Sequence, residues 1–196
     1  MPQNHPLAVL AAILAAGLLA VGVSGCDDGH SHATTQQDIS DVLYVGDAND
    51  EALTELLAAK AVVGAGAVVD MPAEGTQLSA KTAPTFAWHT EEQARLWPSL
   101  PRLVDRWFGV APAYAHGDAV NGQAYLLVVS TPAQPKLLRV FTTQSSYQPA
   151  PAAWAKLVAA GGPYTALVTT ARFDTGKITS DGGPFAGKPA HFAVVP

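Results

Sequence analysis

Tyr164-Thr165-Ala166-Leu167-Val168-Thr169-Thr170-Ala171-Arg172-Phe173 is the stretch whose reading decides the fold. Threonine, valine and aromatic residues in a ten-residue run suit a pleated, half-buried strand. Gly161-Gly162-Pro163 opens it, and Asp174-Thr175-Gly176-Lys177 closes it with turn chemistry. Runs of the same character occupy 124–130, 136–143 and 190–195. Pro132 and Pro135 punctuate the first connection, and Asp181-Gly182-Gly183-Pro184 the last. Short strands separated by such turns predict a mainly β fold, an antiparallel β-sandwich.

Working outward, 85–88 reads as another strand, with Phe86 and Trp88 on one face by the two-residue period. Residues 39–70 read as a β–α lead-in packed on the body. Its strand candidates are 41–45 and 67–71. Between them Asn49, Asp50 and Glu51 offer a helix cap and first-turn acids, and Leu53, Leu56 and Leu57 share one helical face. The body, 71–196, carries a helical insertion at about 90–108. There Ala94, Trp97, Leu100, Val104 and Phe108 recur at three or four residues, and Pro98 and Pro101 divide the pattern into two short helices. Trp154, Leu157 and Val158 predict one or two helical turns before Gly161.

Met71-Pro72-Ala73-Glu74-Gly75 and Ala83-Pro84-Thr85-Phe86-Ala87-Trp88 resemble the opening strands of bacterial immunoglobulin-like or fibronectin-III-like modules. Leu157, the glycine turn and Tyr164-Thr165-Ala166-Leu167-Val168 resemble the run into their penultimate strand. Phe192-Ala193-Val194-Val195 resembles their closing strand. The likeness spans about residues 70–196 apart from the insertion. It implies a scaffold or binding surface rather than a particular chemistry.

The N-terminal segment speaks to location. From Leu7 to Gly25 the chain is uncharged and apolar, and Val23-Ser24-Gly25-Cys26 ends it with small residues before the only cysteine. This segment resembles a bacterial lipoprotein signal peptide: 1–25 would be the signal, and Cys26 would be lipidated and become the new N-terminus. The n-region departs from the pattern by having no Lys or Arg. An uncleaved anchor is the alternative, since a membrane span needs about 20 apolar residues. Either reading places the body outside the cytoplasm, in the bacterial cell envelope. Asp27 follows the cysteine, but its bearing on inner versus outer membrane differs between bacterial groups, so both stay open. Residues 26–38, polar and small, read as a flexible tether.

Charge narrows the partners. The net charge is −5, and eight of the sixteen acids fall within 27–59, where there is no Lys or Arg. The basic residues beyond are scattered, which argues against nucleic acid and leaves the lipid anchor as the contact with the membrane. A lone cysteine excludes an internal disulfide and zinc–thiolate sites.

Candidate chemistry is sparse. His30 and His32, two residues apart on the tether, would share copper or zinc given further ligands; the bland reading is a hydrophilic spacer. His116-Gly117-Asp118 sets a carboxylate near an imidazole, as base catalysis requires, but a turn uses the same residues. Asp47, Asn49, Asp50 and Glu51 read as helix capping rather than a calcium loop, which would need a central glycine and distal glutamate. His89 and His191 read as exposed histidines on strand faces. Trp88 and Trp154 read as core anchors. Trp97 and Trp107, beside Arg102 and Arg106, form the candidate partner surface, since Trp and Arg are enriched in interface hot spots. The expectation is therefore a non-enzymatic binding or scaffolding module with an envelope protein partner and no cofactor. The alternatives are a metal-handling lipoprotein and a hydrolase of unfamiliar pattern.

Overall fold

The computed structural model describes residues 39–91 and 118–196. All of them belong to one compact unit, 36–196. The fold is mainly β: twelve strands and two helices among the described residues. A nine-stranded sheet contains β1 (Val42–Val45), β2 (Val62–Val63), β4 (Thr76–Ser79), β6 (Gly122–Ser130), β7 (Leu138–Thr142), β9 (Tyr164–Asp174), β10 (Lys177–Ile178), β11 (Phe185–Ala186) and β12 (Ala190–Val195). A three-stranded sheet holds β3 (Val68–Met71), β5 (Phe86–His89) and β8 (Ser146–Tyr147). The helices are α1 (Asp50–Ala58) and α2 (Pro151–Ala160).

The eleven-residue β9 organises the large sheet. One edge pairs antiparallel with the whole of β6. The other is shared in succession by β12, β11 and β10. Most pairings are antiparallel, but β1–β7, β11–β2 and β12–β4 are parallel. The lead-in strand β1 therefore extends the large sheet beside β7.

The two faces of this sheet bury different cores. On one face Val42, Leu126, Phe141, Ala171 and Phe173 meet Ala52, Leu53 and Leu56 of α1. Helix α1 starts where the sequence places it: the Asn49 side chain accepts a 3.0 Å hydrogen bond from the Ala52 amide, satisfying one orphan donor of the first turn. The Asp47–Glu51 cluster is thus a capped helix start. On the opposite face Leu127, Val140, Ala166 and Val168 share a core with Phe86 and Trp88 of the small sheet and with Trp154 and Leu157 of α2. Both tryptophans read as anchors are buried. The Trp154 indole N–H donates to the Ala80 carbonyl at 2.9 Å, and the Tyr164 hydroxyl to the Leu157 carbonyl at 2.7 Å, so α2 is held at both ends of its buried face.

Candidate functional site

Alternation along three strands creates the most distinctive surface of the described residues. In β9, the face that packs on the small sheet bears Tyr164, Ala166 and Val168, then Thr170, Arg172 and Asp174. In β6 it bears Gln123, then Tyr125, Leu127 and Val129. β5 gives Phe86 and Trp88 to the same core, and Thr90 follows just past its end. All three change from apolar to polar at one boundary. In register, Gln123 lies opposite Arg172, and Tyr125 opposite Thr170, whose other neighbour is Phe185 of β11. Directly paired residues place their side chains on the same face. The polar end of the sheet is thus a continuous surface bounded by Trp88 and Tyr125, whose rings pack 5.7 Å apart.

This surface floors a cleft of about 790 Å³. Thr90 and Glu91 form one side, and Thr179, Ser180, Asp181 and Gly182 form another. The second wall is pinned to the floor. The Arg172 amide donates to the Gly182 carbonyl at 2.8 Å, the Thr179 amide to the Arg172 carbonyl at 3.0 Å, and the Gly182 amide to the Thr179 carbonyl at 2.8 Å. Gln123 hydrogen-bonds Thr170, and Thr170 donates to the Ala124 carbonyl at 3.2 Å. Ser180 donates to Asp181. Arg172 is exposed and forms no ion pair among the described residues. Among the described residues, the cleft presents one guanidinium and the carboxylates of Glu91, Asp174 and Asp181 among amides and hydroxyls.

Two histidine–carboxylate pairs lie elsewhere. The pairing of β3 with β5 shifts register between Val69 and Met71, so Asp70 sits in a bulge. Both Asp70 carboxylate oxygens lie 2.9 Å from His89 Nδ1. The expectation of an exposed His89 is corrected: the bulge gives it a partly buried carboxylate partner. His191 is exposed as expected, with Nδ1 3.0 Å from Glu74, and its amide donates to the same carboxylate at 2.7 Å. That backbone donor holds Glu74 below the usual carboxylate range, and the imidazole adds to the effect. A further pair, Arg139 with Asp41, ties β7 to the start of β1; Arg139 is only 5% exposed.

Cys26, His30, His32, Trp97, Arg102, Arg106, Trp107 and His116 lie outside the described residues. Asp118 is exposed, and its carbonyl accepts from the Asn49 side chain at 3.1 Å. Among the described residues no three His, Cys, Asp or Glu side chains are grouped to hold a metal ion. None of the described helices is long and apolar enough to cross a membrane. The cleft itself was missed from sequence, although its signal is there: Thr170, Arg172 and Asp174 continue the alternation of Tyr164, Ala166 and Val168 with the polarity inverted. No protein-family model, curated protein or solved structure matches this chain.

Proposed function

We propose that this chain is a lipid-anchored protein of the bacterial cell envelope, attached through Cys26, whose body is a non-enzymatic binding module. The observation that carries the binding reading is the polar end of the large sheet. Among the described residues it gathers one arginine outside any ion pair and three carboxylates around one concavity. Surface charges of this kind contribute only about 0–1 kcal/mol to stability. Concave sites of roughly 300–1,000 Å³ are where small ligands bind, and this cleft falls in that range. The core shared by the two sheets supports the sandwich reading. The parallel pairs set it apart from a wholly antiparallel immunoglobulin-like or fibronectin-III-like module.

Full-length protein, purified in detergent, tests the binding reading in a thermal-shift screen of polar small molecules. A ligand that raises Tm for the wild type and not for Arg172→Ala is the expected result. A ligand turned over rather than held, or one indifferent to Arg172, overturns it. Metabolic labelling with a palmitate analogue, lost in Cys26→Ala, is expected for the anchor. Equal labelling of both forms, or none of either, removes it.

A further inference from the structure

Resting on the reading of the cleft as a binding site, we infer that its ligand is a neutral, polyhydroxylated molecule, a short oligosaccharide. The lining argues against three other ligand classes and fits this one. An apolar ligand would strip water from Arg172, Asp174 and Asp181 without replacing their hydrogen bonds, at a cost of several kcal/mol. Among the described lining residues, a phosphate-bearing ligand would meet one cation against three carboxylates, the reverse of the cationic surface that polyanions need. A metal ion needs a tighter carboxylate group than the described residues provide.

Hydroxyl groups fit because each both donates and accepts. A ligand with many of them satisfies the donors of Arg172 and the acceptors of Asp174 and Asp181 together, without itself carrying charge. Arg172 and Asp174 are two residues apart on one strand face, hence about 7 Å at roughly 3.3 Å per residue. A planar guanidinium and a carboxylate each offer a fork of two hydrogen-bonding positions, suited to neighbouring hydroxyls. Phe185, half-buried and paired with Thr170, adds an aromatic residue to the lining, the residue type that the apolar face of a sugar ring packs against. The cleft has room for more than one ring, and its wall is already fixed by the Arg172–Gly182 and Thr179–Arg172 backbone bonds. The ligand therefore pays little to order the site.

The test is calorimetric titration of full-length protein in detergent with maltotriose, cellotriose and chitotriose. Spermidine, inorganic phosphate and glutamate serve as the polyamine, inorganic-anion and amino-acid probes. Saturable binding of at least one trisaccharide is expected, weakened about tenfold or more in Arg172→Ala and in Asp181→Asn. Arg172→Lys is expected to weaken it too, because an ammonium lacks the fork. Both side chains are exposed, so unchanged circular dichroism and Tm show that these variants remain folded. Spermidine, phosphate or glutamate binding in an Arg172- or Asp181-dependent way, with no trisaccharide bound, overturns the oligosaccharide assignment and leaves the cleft standing as a site. Trisaccharide binding unchanged in both variants overturns the assignment to this cleft. Binding by none of the probes sinks the oligosaccharide and takes the support from the cleft with it.

Discussion

Gly187 lies directly against the carbonyl oxygen of Ala67, leaving no space for a β carbon. Gly66 meets the backbone of 185–187 in the same way. These contacts seat the segment leading into β3 beside the end of β11, where the Gly187 amide also donates to the Val168 carbonyl at 2.9 Å. The obstructing atoms are backbone, so no rotamer change relieves them. Gly187→Ala is expected to destabilise the body by about 1–3 kcal/mol, the usual range for overpacking. Urea unfolding followed by tryptophan fluorescence measures it. A loss under about 0.5 kcal/mol would mean the two segments separate freely.

The β9–β10 hairpin makes the opposite kind of prediction. Asp174 pairs with Lys177 across two residues, Thr175 at φ 50° and Gly176 at φ 76°. Both central residues at positive φ define the type I′ turn that suits twisted strands and prefers Asn-Gly. A β-branched threonine there carries a left-handed penalty of roughly 1–2 kcal/mol. Thr175→Asn relieves part of it while keeping the amide that donates to Asn121 at 2.8 Å. A gain of about 0.5–1 kcal/mol in the same urea assay is expected. An unchanged midpoint would place the strain elsewhere.

Most of the elements were legible because their cause is local. The cap at Asn49, the leucine face of α1 and the strands around Phe86, Leu127, Val140 and Val168 all follow from short-range pattern. Strands β2, β8, β10 and β11 escaped because two residues carry no period to read, and β4 because Thr76-Gln77-Leu78-Ser79 holds a single apolar residue. Val63, 84% exposed, becomes part of a strand only through a partner over a hundred residues away. The cleft needed long-range register: nothing local says that Gln123 faces Arg172, or that a turn at 179–182 folds back onto β9. Asp70 reaches His89 because of a bulge, which adds one residue to one strand and leaves no local signature.

Trp154 and Trp88 are both buried, yet their nitrogens differ. Trp154 donates to Ala80, whereas the Trp88 indole nitrogen is enclosed with no hydrogen-bond partner among the described residues. Replacing either by Phe removes volume. Only Trp154→Phe also strands a carbonyl, and a net hydrogen bond contributes about 0.5–1.5 kcal/mol. Trp154→Phe is therefore expected to cost about 1 kcal/mol more than Trp88→Phe. Equal losses in parallel denaturation curves would show that the Ala80 bond contributes nothing net.

Glu74 contributes to the acid limb of the stability profile. Its folded carboxyl titrates below its ordinary range, held down first by the His191 amide and then by the imidazole. A depressed folded value means the stabilisation is present above the unfolded carboxylate range and fades as pH falls through that range to the folded value. Glu74→Gln is expected to flatten that part of the curve, measured as Tm against pH in the acid range. Because the carboxylate is exposed, added salt should shrink the difference. Identical acid limbs in the two proteins would remove Glu74 from the account.

The alkaline limb belongs to tyrosines. Burial pushes the Tyr44 phenol up, and the Asp50 and Glu51 carboxylates push it further. Burial also raises Tyr147, partly offset by a backbone hydrogen bond at Ala150, and raises Tyr164. In each, folding favours the neutral phenol. The unfolded chain therefore releases protons first as pH climbs through the ordinary tyrosine range. The stabilisation is whole below that range and is lost progressively toward the higher folded values. Absorbance at 295 nm should show delayed ionisation of at least three of the five tyrosines, with all five titrating normally in guanidinium. Tyr44→Phe should remove one delayed phenol and lessen the alkaline loss of stability, since phenylalanine has no proton to release in the unfolded state. If every tyrosine of the folded protein ionised in the ordinary range, the burial of Tyr44 beside α1 and of Tyr164 beneath α2 would both be wrong.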